Sequence, residues 1–140
     1  MTAVIVDASA LLAMIFAEPV GEVVEERLQS APAAGIGAPS LTEVSLVLGS
    51  RLGRDPMPIL GRVLQEFGIA VVPFSEQHWA EATDAFMRFG KGRHPAALNF
   101  GDCMSYAVAK LSEQALLATG DDFPQTDLEL VPLGAEAAGA

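Results

Sequence analysis

The sequence predicts an α/β fold, a short parallel sheet of four to five strands with helices covering both faces. Three observations carry this. Short apolar runs at residues 3–6, 69–72 and 115–118 are too brief for helices and read as buried strands. Longer segments with apolar residues three or four apart lie between them. Gly and Pro punctuate the boundaries. Strands that are apolar throughout, alternating with helices, imply a sheet covered on both sides. Ligand sites of such sheets lie beyond the carboxyl ends of the strands.

The elements follow in order. Val4-Ile5-Val6 is β-branched and forms the first strand. Asp7-Ala8-Ser9 turns into an apolar helix over about 10–17. Pro19 and Gly21 interrupt before a polar helix over 22–29. Residues 30–37 read as loop, with a short strand near Ile36. Pro39 and Ser40 open a helix striped by Leu41, Val44 and Leu48, and Gly53 and Pro56 end it. A helix over 58–67 precedes the strand at 69–72. Residues 75–89 are amphipathic, with Trp79, Ala82, Phe86 and Phe89 spaced for core or dimer contact. A Gly- and Pro-containing loop at 90–98 leads to a helix over 99–113 and the strand at 115–118. Residues 120–126 are turn, and 128–132 an edge strand. Residues 1–133 form one domain, and 134–140 an Ala- and Gly-rich flexible tail.

Bulk properties exclude several classes. Hydrophobic residues are 51% and charged residues 19%, which rules out a disordered chain. The longest largely apolar run, residues 8–17, falls short of the roughly 18 residues a membrane span needs. No Lys or Arg precedes the first apolar stretch, and Asp7 interrupts it, unlike a secretory signal. The single cysteine, Cys103, permits no internal disulfide and reads as a small buried side chain. A cytoplasmic protein is expected. The net charge of -10 is not that of a general nucleic-acid binder. Bound cations or a basic partner would change that balance.

The acidic residues carry the chemistry. Asp7 follows the first strand. Glu43 lies in the first turn of the helix opening at Ser40. Asp102 lies in the first turn of the helix leading to the third strand, and Asp121 and Asp122 follow that strand. Taken singly, each has a plain structural reading. Asp7 is a helix cap, Ser40 to Glu43 and Asn99 to Asp102 are capping boxes, and Asp121 caps a turn. Jointly they converge. Glu43 shares a face with Leu46 and Val47, and Asp102 with Tyr106 and Ala109, so both lean inward. Carboxylates gathered at one place repel and resist ionisation, and a divalent cation relieves this. Oxygen donors suit Mg²⁺, with Mn²⁺ as a substitute. Such a hydrated metal would orient a water, lower its pKa and neutralise charge developing on phosphoryl oxygens. His78 and His94 are too few for a histidine metal site, and His78 reads as a surface residue. No phosphate loop with a GKS or GKT ending is present.

At this point the residues resemble a known family. Val4-Ile5-Val6-Asp7-Ala8-Ser9-Ala10-Leu11-Leu12-Ala13 looks like the opening of a PIN domain. Pro39-Ser40-Leu41-Thr42-Glu43-Val44 looks like its second acidic segment. Leu98-Asn99-Phe100-Gly101-Asp102-Cys103 and Leu117-Ala118-Thr119-Gly120-Asp121-Asp122-Phe123 are similar to the third and fourth. Together with Gly90-Lys91-Gly92-Arg93-His94-Pro95-Ala96 they resemble the VapC branch, toxins of bacterial toxin–antitoxin pairs. The resemblance implies a PIN-like three-layer sandwich and a Mg²⁺-dependent endoribonuclease. It implies a VapB-like antitoxin partner and a homodimer. It makes Asp7, Glu43, Asp102 and Asp121 the catalytic and metal-holding residues, with Asp122 a close competitor for the fourth place. Ser9 and Thr119 become supporting polar neighbours. Arg88, Lys91, Arg93 and His94 are candidates for RNA phosphate contacts.

Two other classes compete. A non-catalytic interaction module of the same fold would be expected to lose an acidic residue, yet all four positions are acidic. A metal-dependent small-molecule phosphatase of the haloacid-dehalogenase type would want an Asp where Ser9 stands.

Overall fold

The computed structural model describes residues 3–134. β1 (Val4–Val6) leads to α1 (Ala8–Ile15), α2 (Gly21–Ser30), β2 (Ala34–Gly37), α3 (Ala38–Leu52) and α4 (Met57–Phe67). β3 (Ile69–Val72), α5 (Glu76–Phe89), α6 (Phe100–Ser112), β4 (Ala115–Leu117) and a 3₁₀ turn (Phe123–Gln125) follow. Residues 135–140, most of the expected tail, lie outside the described residues.

The four strands are parallel, in the order β3-β2-β1-β4. The expected helix-covered parallel sheet is therefore present. Alternation along β1 divides the core. Val4 and Val6 pack with Leu11, Val24, Leu28, Val44, Leu48 and Leu60 of α1 to α4. Ile5 and Leu116 face the other way, onto Ala85, Phe89, Tyr106 and Val108 of α5 and α6. Each fully buried aliphatic side chain contributes about 1.5–3 kcal/mol, so both layers are held by ordinary apolar burial.

Strand β2 corrects the reading of 30–37 as mostly loop. It sits between β1 and β3 and is buried throughout. Its sequence, Ala-Gly-Ile-Gly, lacks the β-branched run that marks a strand. The glycines are there because the neighbours press close. A Cβ on Gly37 would lie 2.7 Å from Val108 Cγ2, and one on Gly35 3.1 Å from Val72 Cγ2. The expected edge strand at 128–132 shrinks to one parallel bridge, Leu116 with Leu130. Val131 N–H still donates to the Leu116 carbonyl, and Pro132, which has no N–H, comes next. On α5 the buried stripe is Ala82, Ala85 and Phe89, which leaves Trp79 exposed rather than in the core.

Chain order along the sheet reverses at β1: β2 and β3 continue to one side, and β4 returns on the other. The crevice at the carboxyl ends of β1 and β4 is thus the topological switch point, where open α/β sheets bind ligands. Asp7 stands there, its N–H donating to the Leu117 carbonyl at 2.9 Å.

Candidate active site

Asp7 leaves β1 in extended conformation and caps α1. Its carboxylate is buried, at 6% exposure, and takes three hydrogen bonds. Ser9 N–H donates to Oδ2 at 3.0 Å and Ser9 Oγ donates to the same atom at 2.6 Å. Ser105 Oγ, from α6, donates to Oδ1. Behind it, Ser40 Oγ of α3 lies 2.9 Å from Ser105 Oγ, and both serines are buried. Thr119 N–H, just beyond β4, donates to Ser9 Oγ at 3.1 Å. One carboxylate is thereby fixed by α1, α6 and, through the serines, by α3 and the end of β4.

Ser40 and Ser105 were not among the expected site residues. Their signal in the sequence is faint. Ser105 is one small polar residue among the buried Cys103, Tyr106, Val108 and Ala109. The sequence places Ser40 as a helix cap, but α3 begins at Ala38 with Gly37 as its N-cap and no side-chain cap bond. The expected Ser40–Glu43 capping box is therefore absent, which leaves Glu43 free of that duty.

Glu43 is an exposed residue, yet its carboxylate end lies against α6: a Cβ on Gly101 would come within 2.5 Å of Glu43 Oε1. Its pKa is raised by burial first, then by the charges of Asp7 and Asp102. Asp102 is half-buried. It forms a reciprocal cap with Asn99: Asn99 N–H donates to Oδ2 at 3.0 Å, and Asp102 N–H donates to Asn99 Oδ1 at 2.9 Å. Burial is the largest cause lifting its carboxyl to about 6; the Asn99 amide pulls against it, and the charges of Asp7 and Asp122 add to the rise. Asp7, Glu43 and Asp102 thus feel one another, as expected of carboxylates brought to one crevice.

Asp121 and Asp122 are exposed in the turn after β4. Neither side chain caps the 3₁₀ turn. Of the two, Asp122 is the one whose charge raises Asp102. The segment beyond them is tied to α6. Tyr106 Oη donates to Asp127 Oδ1 at 2.6 Å and Lys110 Nζ donates to Oδ2 at 2.8 Å. Partial burial pushes Asp127 up, but the Lys110 and Tyr106 donors outweigh it and hold the carboxyl below its ordinary value. Phe123 is buried as a second anchor.

The cationic candidates divide. Arg88 lies 3.6 Å from both Asp84 and Asp127 and covers the Phe89 ring at 4.7 Å, an engagement a phosphate would have to compete with. His94 closes its own loop: Nδ1 accepts from Ala96 N–H at 3.0 Å, and the ring stands edge-on to Phe89. Lys91 and Arg93 are exposed, Arg93 over the Phe86 ring at 5.5 Å. His78 accepts from Ser75 N–H as a cap of α5, which accounts for it structurally. Cys103 is buried and its thiol is pushed up to about 11 by burial and then by Asp102, as suits an unreactive packing residue.

Among the described residues no three or more His, Cys, Asp or Glu side chains are placed to hold a metal ion together, so no closed cage is present. A structural zinc site needs such a cage. A hydrated Mg²⁺ does not: it takes one or two carboxylates and keeps several waters. Asp7 and Asp102, with Glu43 beside them, offer oxygen donors that could serve such an ion. Among the described residues no helix is long and apolar enough to cross a membrane.

Comparison with known proteins identifies the family of this fold. A family model described as PIN domain matches residues 4–129. The chain is 48% identical over 126 residues to ribonuclease VapC36 of Mycobacterium tuberculosis, covering 89% of this chain and 91% of that protein. Among solved structures, Mycobacterium tuberculosis VapC20, described as a sarcin-ricin loop cleaving toxin, superposes with a TM-score of 0.73 at 17% identity, over 91% of this chain and 98% of that one. A toxin–antitoxin complex from Klebsiella pneumoniae gives a TM-score of 0.69 at 15% identity, over 94% and 98%. At such identities the structural likeness speaks to the fold alone.

Proposed function

This chain belongs to the PIN-domain family, and from that premise we propose that it is a Mg²⁺-dependent endoribonuclease, the VapC-type toxin of a toxin–antitoxin pair. The observation that carries the reading is the electrostatic coupling of Asp7, Glu43 and Asp102 at the switch point of the sheet. Glu43 and Asp102, made reluctant to ionise first by burial and then by neighbouring charge, are poised to share a cation with Asp7.

Asp7 and Asp102 would hold the metal, with Glu43 and one of Asp121 and Asp122 beside them. A bound Mg²⁺ supplies charge neutralisation at the phosphoryl group and a water of lowered pKa. The chain's own residues do the positioning. Ser9 and Ser105 fix the Asp7 carboxylate from both oxygens, so it needs no reorganisation when phosphate arrives. Asn99 holds Asp102 at the start of α6. Glu43, with its raised pKa, is suited to accept the proton of the attacking water at Oε1.

Relatives named ribonuclease VapC and a structural neighbour that is a toxin–antitoxin complex support an antitoxin partner. A basic side chain of that partner would find charge-assisted hydrogen bonds among these carboxylates. A homodimer is part of the same proposal.

The test is cleavage of total cellular RNA by the purified chain, with Mg²⁺ or EDTA, beside Asp7→Asn. Discrete fragments that need Mg²⁺ and vanish in the variant support the reading. A folded, partner-free protein that leaves every RNA intact speaks for a non-catalytic module.

A further inference from the structure

Phe100 opens α6 two residues before Asp102 and is 79% exposed. A large aromatic left in water beside an acidic crevice needs an explanation, since packing does not supply one. Phe100 lines two adjoining grooves. The smaller, of about 400 Å³, is walled by Thr42, Glu43, Leu46, Asn99 and Gly101, and so belongs to the acidic site. The larger, of about 700 Å³, runs back between α5 and α6 along Phe74, Trp79 and Phe86. The two share Pro39, Phe100 and Met104 as wall, so they lie end to end as one trough with Phe100 at the join.

Resting on the ribonuclease reading, we propose that Phe100 is a substrate-positioning platform on which an unpaired base beside the scissile phosphate stacks, with Trp79 farther along the same trough. Three features select RNA as the occupant. The trough ends on Glu43 and Gly101, so whatever fills it is delivered to the carboxylates. Four of the chain's nine aromatic residues (seven Phe, one Trp, one Tyr) line its larger part, and base stacking on such rings is sequence-tolerant. Arg93 places a guanidinium over Phe86 on its wall, in a chain with only eight Lys and Arg. Aromatic faces with cations alongside are how proteins grip single-stranded nucleic acid.

Trp79 is the chain's only tryptophan and is 64% exposed in this trough, so it is a built-in reporter. A short oligouridylate is titrated into the full-length protein in EDTA at low salt, and Trp79 emission is followed. Quenching is expected, with the dissociation constant rising roughly 5- to 150-fold in Phe100→Ala. Phe100→Tyr restores wild-type binding; Phe100→Leu, apolar but without a π face, does not. Gel filtration should give all four proteins the same elution volume. Equal binding by the Ala, Leu and Tyr variants overturns the proposal. So does a change of elution volume in Phe100→Ala, which makes the trough an interface between copies of the chain. A wild type that binds no oligouridylate overturns it too. Binding without Mg²⁺-dependent cleavage sinks the ribonuclease reading and leaves the platform standing; cleavage with Phe100-insensitive binding does the reverse.

Discussion

Ser105 and Asp7 are 98 residues apart in sequence and joined in the core, the serine hydroxyl donating to carboxylate Oδ1. Ser105→Ala removes that donor and leaves Ser40 Oγ without its neighbour. A hydrogen bond to a charged group contributes about 1.5–3 kcal/mol. The two Ser9 donors remain, so a loss of about 2 kcal/mol is expected, or roughly 6–10 °C in Tm. Cleavage should fall on the order of tenfold to a hundredfold, because a loosened carboxylate is mispositioned. Ser40→Ala, one bond farther out, should cost less on both counts. Melting curves and initial rates on the three proteins check this; a Ser105→Ala variant with wild-type rate refutes the positioning role.

The contrast between Asp7 and Ser105 shows what the chain reveals before folding. Asp7, Glu43 and Asp102 are visible because each stands near the start of an element, where strand and helix signals point to it. Strands β1, β3 and β4 are visible as apolar runs. The serine relay is invisible because its partners are brought together only by the packing of α1, α3 and α6. Strand β2 hides for a related reason. Gly35 and Gly37 are chosen by the close approach of Val72 and Val108, a tertiary demand that overrides strand propensity. Adjacent Asp121 and Asp122 share one sequence signal, and only the turn's geometry separates them.

Asp102 titrates where stability can report it. Its carboxyl is lifted from 3.8 to about 6 by burial, with Asp7 and Asp122 adding to the rise. The folded chain therefore holds this proton more tightly than the unfolded chain. That contribution is complete below about pH 3.8 and is lost as pH rises through about 6. Glu43 acts in the same direction. In EDTA, Asp102→Asn should gain on wild type as pH climbs from about 4 to about 7.5. After discounting for solvent screening the gain is roughly 1 kcal/mol, or about 3–5 °C. Added Mg²⁺ reverses the ranking above about pH 6, because it stabilises the protein whose carboxylate it binds. A pH-independent difference between the two proteins refutes the coupling.

Gly101 separates the fold from the site. Alanine there favours the helix by up to about 1 kcal/mol, yet its Cβ would stand 2.5 Å from Glu43 Oε1. The obstructed atom is the end of a flexible side chain, so the helix stays and the carboxylate moves. Gly101→Ala should melt no lower than wild type and cleave RNA about tenfold or more slowly. Unchanged cleavage means that Glu43 acts from elsewhere or not at all.

Asp121 and Asp122 are distinguished by their reach. Asp122 raises the Asp102 carboxyl, while Asp121 does not figure among the causes. Removing the Asp122 charge in Asp122→Asn should let Asp102 ionise at lower pH. Activity limited on the acid side by Asp102 then persists to lower pH, and the acidic limb of the rate profile shifts down. Asp121→Asn should leave that limb in place. The two rates at neutral pH give a second reading. If Asp122 is the fourth carboxylate, Asp122→Asn should also lower the Mg²⁺-saturated rate, on the order of tenfold or more, and raise the Mg²⁺ concentration needed for half-maximal cleavage. The opposite pattern, with Asp121→Asn slow and Asp122→Asn normal, assigns the fourth place to Asp121. It would mean that the turn after β4 rearranges when metal and RNA are bound, bringing forward a residue that this structure leaves exposed.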